Sequence, residues 1–304
     1  MKNAFKTIFL LSALTITTSA LAQQQVMFTQ YMFNQLAINP AYAGIHEGIS
    51  TSMLWREQWV GFEGAPSTQT ISVHSPLNYR PASLGLVLMR DKIGITTQHG
   101  AYASYAYRIR FEKSQLSMGM QGSITQYQTD YSEEAGLDPI LANANVNVMR
   151  PNFGAGLMWH SDRHYVGLSV PQLMNQSFDP GNLDSDSELV RHYFLLAGYV
   201  FDINNDLKFK PNILVKHVAG APTQVDLNAN FLIKDVVWVG LSYRSLDSFD
   251  FLFQLQINPQ LQIGYAFDFA TTTELRRVNA GSHEFMLNYI FELPRKKVLT
   301  PRYF

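Results

Sequence analysis

Only 15 % of the 304 residues are charged while 13 % are aromatic, where a soluble domain carries about 25 % charge. The formal net charge of −1 supplies no basic field for nucleic acid. The absence of cysteine excludes disulfides, thiolate metal sites and a lipoprotein anchor.

Lys2 and Lys6, an apolar stretch from Ile8 to Ile16 and the Ala20-Leu21-Ala22 site make residues 1–22 a signal peptide, with cleavage expected before Gln23. The stretch is shorter than the roughly 20 residues that cross a bilayer as a helix. Residues 23–46 follow as an N-terminal periplasmic, plug-like segment. Its centre, QYMFNQLAINPAYAG (30–44), is too apolar for a linker and is broken by Pro40 and Gly44. Tyr31, Phe33, Leu36 and Ile38 are expected to pack into or under the next domain. Asn39-Pro40 would start a turn and Gly44 would release the chain into the first strand. A first strand beginning earlier is the plain alternative.

From residue 47 the pattern is alternation. It predicts strands over 47–60, 67–76, 82–91, 98–110, 114–125, 151–160, 163–170, 192–202, 206–217, 225–234, 235–244, 249–257, 260–269 and 281–291. Leu116, Met118 and Met120 point one way, and Gln115, Ser117, Gly119 and Gln121 the other; Phe153, Ala155, Leu157 and Trp159 likewise share a face. Asn, Gln, Ser, Gly and Asp fill the polar face, with few of the Lys and Glu that coat a solvated sheet. Lipid on one side and a polar lumen on the other is what a membrane barrel requires. Residues 194–200 are apolar on both faces, which points to a partly filled lumen.

Tight connections at 77–81, 111–113, 161–162, 203–205, 234–235 and 258–259 alternate with mostly longer ones, including 126–150, 171–191 and 270–280. Turns inside and loops outside characterise outer-membrane barrels, and an even count is expected to leave both termini in the periplasm. The fold class is therefore all-β: a transmembrane antiparallel up-and-down β-barrel over 47–291, of about 14 strands, with 12 or 16 open. A secreted β-sandwich or propeller is the alternative.

Little in the chain suggests chemistry. His160 and His164 flank a turn without the carboxylate of a zinc motif, and read as solvated. No G-x-S-x-G elbow, P-loop or dinucleotide fingerprint occurs. Asp184, Asp186 and Glu188 could offer oxygens to calcium, but EF-hand spacing is missing and a hydrophilic loop is the plainer reading; Glu133, Glu134 and Asp138 read alike. No catalytic residue, metal site or cofactor is expected. Arg244, Lys216 and Asp226 are the candidate lumen charges, which otherwise look sparse.

Two stretches ask for more than architecture. In residues 55–66, Trp55 and Trp59 suit an interfacial aromatic girdle, while Gly61, Gly64 and Pro66 fix a tight connection beside Arg56 and Glu57. The tail, 292–304, is a basic periplasmic segment whose Arg295, Lys296 and Lys297 could meet a partner; an unstructured end is the alternative. Phe291 or Phe304 would serve as the terminal aromatic of barrel assembly.

The chain resembles the PorP/SprF family of outer-membrane proteins from the type IX secretion and gliding machinery of Bacteroidota. The resemblance rests on QYMFNQLAINPAYAG (30–44), WREQWVGFEGAPSTQTISVHSP (55–76), HYFLLAGYVF (192–201), SHEFMLNYIF (282–291) and TPRYF (300–304). It implies a non-enzymatic outer-membrane barrel that works beside the translocon. Such barrels bind particular cargo, notably large surface adhesins with the type-B C-terminal targeting domain, and contact periplasmic components. Asn39, Pro40, Tyr42, Gly44, Trp55, Arg56, Trp59, Gly61, Gly64 and Pro66 are the expected partner-facing or family-defining positions. A general porin or hydrophobic-substrate channel is the competing function, and a surface enzyme has least support.

Overall fold

A computed structural model describes residues 26–77, 80–131, 145–177, 188–245, 247–271 and 279–292. Three single 3-10 turns, Tyr31–Phe33, Gln35–Ala37 and Pro40–Tyr42, precede the strands. These are β1 Ile49–Glu57, β2 Ser67–Pro76, β3 Ala82–Ile93, β4 Thr96–Arg110, β5 Gln115–Thr129, β6 Val146–His160, β7 His164–Val170, β8 Gln176–Ser177, β9 Glu188–Leu189, β10 His192–Tyr199, β11 Phe201–Asn204, β12 Leu207–Val218, β13 Gln224–Ile233, β14 Val237–Arg244, β15 Ser248–Gln256, β16 Leu261–Ala270 and β17 Ser282–Phe291. Among the described residues no helix is long and apolar enough to cross a membrane.

Each main strand pairs antiparallel with its neighbour in sequence, β10 pairs with β12, and β1 pairs with β17. With β10 and β11 counted as one position and the small β8–β9 ribbon outside the wall, the result is a closed barrel of 14 strands. Closure leaves no sheet edge, so every strand finds backbone partners within the wall, as hydrocarbon demands.

The alternation decides which face meets lipid. On β15, Phe249, Phe251 and Phe253 are exposed while Asp250, Leu252 and Gln254 are buried; on β4, Tyr105, Tyr107 and Ile109 face out while Ser104, Ala106 and Arg108 face in. Apolar residues out and polar residues in is the inverse of a soluble fold.

Short connections at 77–81, 111–114, 161–163, 205–206, 234–236 and 257–260 gather at one mouth. The strand ends that flank 58–66, 94–95, 130–145, 171–191, 219–223, 245–247 and 271–281 lie at the other; of these connections 94–95, 219–223 and 245–247 are as short as those of the first mouth. Lys234 and Asp235, both at positive φ, form a type I′ turn closed by the Val236 N–H on the Ile233 carbonyl.

Boundaries differ from the alternation reading: β1 stops at Glu57 rather than at residue 60, so Trp59 and Val60 belong to the loop. β5 and β6 run four and five residues further, to Thr129 and from Val146, because polar residues that read as loop pair across the hairpin; Gln126 Nε2 donates to Asn147 Oδ1. The strand expected at 192–202 is interrupted at Val200. Pro211 on the facing strand has no N–H for the ladder, although Gly198↔Asn212 and Phe201↔Phe209 keep one register across the gap.

Candidate functional site in the filled lumen

Residues 26–45 lie inside the barrel. The backbone there has no sheet edge to join, so it bonds to itself in 3-10 turns: Phe33 N–H to the Gln30 carbonyl, Ile38 to Gln35, Tyr42 to Asn39. Asn39 caps the last turn, its Oδ1 accepting from Ala41 N at 2.9 Å with Pro40 in the first turn position. Tyr31, Met32, Leu36, Ala41 and Ala43 are wholly buried against inward residues of the wall, including Phe194, Leu196, Leu214 and Trp238. The apolar inner residues of β10 thus face the plug, which is why that strand is apolar on both sides.

The wall makes room with glycine. A Cβ at Gly119 on β5 would meet the backbone of Pro40 and Ala41; at Gly156 and Gly167 on β6 and β7, the side chain of Asn39; at Gly264 on β16, that of Gln30. Gly85 on β3 lies under Leu36 and Ala43. Into the space left by two of these glycines, Asn39 Nδ2 donates to the Leu157 carbonyl at 3.0 Å.

At the long-loop end the plug is held by charge. Both oxygens of Glu284 accept backbone N–H groups, from Thr29 at 2.9 Å and Gln30 at 2.8 Å. Thr29 Oγ1 donates to Asp268, and Arg56 bridges Asp268 at 2.6 Å and Glu284 at 3.1 Å. Beside this group Arg244 pairs with Asp226 at 3.0 Å, both 2 % exposed, and with Asp247 at 3.3 Å. Against β12 and β14, Phe33 stacks edge-on on Trp238, 5.6 Å between centroids, with Lys210 Nζ 4.7 Å from the Phe33 ring. At the short-turn end Gly44, at φ 70°, donates to His74 Nδ1 at 3.1 Å and its carbonyl accepts from Arg108.

The expected positions divide between two places. Asn39, Pro40, Tyr42 and Gly44 are buried in the plug, Tyr42 packing edge-on against His74 at 5.3 Å. Trp55, Arg56, Trp59, Gly61, Gly64 and Pro66 belong to β1 and the 58–66 loop. Trp55 faces outward and donates Nε1 to Glu57, whereas Arg56 faces the lumen. Trp59 takes φ 48°, a left-handed conformation rarely held by a bulky residue. Its N–H donates to Ser282 Oγ, and Val60 exchanges backbone bonds with Ala280 and Gly281. That pins the loop over the mouth and leaves Phe62 exposed. Arg295, Lys296, Lys297, Asp184 and Asp186 lie outside the described residues, as do residues 1–22.

Two readings need correction. The two histidines do flank the 161–163 turn, but His160 is not solvated: it is buried at the foot of β6, while His164 packs against Trp159. Lumen charge is not sparse either. Arg56, Asp91, Arg108, Lys210, Asp250, Asp268 and Glu284 join Arg244, Lys216 and Asp226 in facing inward. The overlooked signal is a charge between two outward aromatics at period two, as in Phe249-Asp250-Phe251 and Phe267-Asp268-Phe269.

The family model described as type IX secretion system membrane protein PorP/SprF matches residues 20–289, which takes in the plug and nearly the whole wall. No curated protein matches the chain. Among solved structures, the CymD monoaromatic hydrocarbon channel is similar with a TM-score of 0.51 at 12 % identity, over 86 % of this chain and 94 % of that one. The Acinetobacter baumannii outer membrane protein Omp33 gives 0.48 at 9 %, over 81 % and 99 %. A Pseudomonas aeruginosa FadL homologue gives 0.46 at 12 %, over 84 % and 93 %.

Proposed function

The chain belongs to the PorP/SprF family of type IX secretion system membrane proteins, and from that premise we propose that it is a non-enzymatic outer-membrane partner of secreted cargo. It assists export or surface attachment of large adhesins carrying type-B C-terminal targeting domains, and contacts translocon and periplasmic components. The observation that carries this reading is the filled lumen. Residues 26–45 bond to strands on all sides of the wall, so a through-flow of solute is not what this state serves. What remains for function is the two mouths. At the outer one the pinned 58–66 loop, with Trp59 held in a strained backbone, is a preformed contact surface.

Affinity capture of the tagged barrel from mild-detergent outer membranes tests this. Recovery of a secreted protein's C-terminal domain or of translocon components, reduced by Trp59→Ala, is the expected result. Recovery of the barrel alone, together with open-channel conductance in planar bilayers, would favour a porin or hydrophobic-substrate channel.

A further inference from the structure

The plug crosses the lumen in a definite direction. Thr29 is bonded to Arg56, Asp268 and Glu284, at the ends of β1, β16 and β17 that meet the 58–66 and 271–281 loops. Asn34 then bonds Ser72 halfway along β2, Leu36 lies over Gly85, and Ala41 over Gly119. Gly44 is bonded to His74 and Arg108 at the ends of β2 and β4 that meet the short connections 77–81 and 111–114. β1 starts at that same end, Ile49 opposite Phe291, and climbs back. The chain therefore descends through the lumen before it enters the wall. Both ends of the sheet lie at the short-turn mouth, yet the residues that precede Thr29 open at the other.

We infer that Val26, where the plug enters the lumen, is displayed on the outside of the cell, at the long-loop mouth that carries Trp59 and Phe62. The inference rests on the outer-membrane reading above, in which long loops face outward. Reach makes it definite. Val26 is three residues from Thr29, so at 3.3–3.6 Å per residue it lies about 10 Å from that anchor at most. The apolar band of an outer-membrane barrel is about 25 Å tall, so a segment anchored at Thr29 by Glu284 cannot return to the inner mouth. The entry of the plug is then part of the surface that an external polypeptide meets.

The chain has no native cysteine, so single-cysteine labelling is unambiguous. Val26→Cys, Phe62→Cys in the 58–66 loop and Lys113→Cys in the 111–114 turn would each be treated with a bulky membrane-impermeant maleimide, on intact cells and after lysis. Expected is labelling of Val26→Cys on intact cells, to the extent seen for Phe62→Cys, while Lys113→Cys labels only after lysis. A short epitope inserted between Ala22 and Gln23, read by antibody on intact cells, provides a second measurement should the cysteine disturb the plug. Phe62→Cys labelled on intact cells, with both Val26→Cys and the epitope reached only after lysis or denaturation, would overturn the inference and leave the orientation standing. Phe62→Cys protected on intact cells would overturn the orientation itself.

Discussion

At the residue scale, the lumen is fitted by subtraction as much as by contact. Gly119 and Gly122 sit three apart on β5, one facing the plug backbone and the other facing out with nothing near it. Gly119→Val should force plug or strand to shift, costing about 1–3 kcal/mol as overpacking does, while Gly122→Val should be nearly neutral. The temperature at which the folded band is lost in heat-modifiability electrophoresis reads both; equal shifts would mean that β5 does not seat the plug. Glu284 works by addition instead. Its carboxylate takes two backbone N–H groups and the Arg56 guanidinium at once, so the charge buried there is fully engaged. Neither role was visible in the sequence. A glycine at an inward position reads as a polar-face residue, and Glu284 stands in an apolar strand between His283 and Phe285.

Among elements, the strands were legible and the destination of the plug was not. Period two survives because one face must be apolar for lipid, so strand positions follow from side-chain direction alone. Where a backbone irregularity governs, as at Pro211, or where polar residues extend a hairpin, as in β5 and β6, that signal stops. Residues 30–44 announced an apolar segment with breaks, but which strands it meets depends on closure over more than 200 positions of sequence, as in the Thr29–Asp268 and Gln30–Glu284 bonds. Deletion of residues 25–44 should raise the single-channel conductance of the purified barrel. Unchanged conductance would argue against the segment being what fills the passage. In the 58–66 loop, Trp59 in a left-handed backbone marks strain held by Ser282 and Gly281.

For the whole molecule, the plug and wall form one core. The buried apolar cluster runs from Tyr31 through Phe194, Trp238 and Met286 without separating the inserted segment from the strands. Amide hydrogens of Thr29, Gln30, Ala41 and Gly44 should therefore exchange with the slowness of wall amides, in one cooperative unit. Exchange several orders of magnitude faster would show the plug opening by itself. The direction in which the segment runs has a mechanical corollary. Its carboxyl side is covalently continuous with β1 at the short-turn mouth, and its amino side lies at the long-loop one. In the orientation inferred above, clearing the passage means drawing the amino side of the segment inward through the full length of the barrel, as a bolt is drawn from inside a door. Tension from the periplasm opens such a barrel, whereas a grip on the same end from outside keeps it shut.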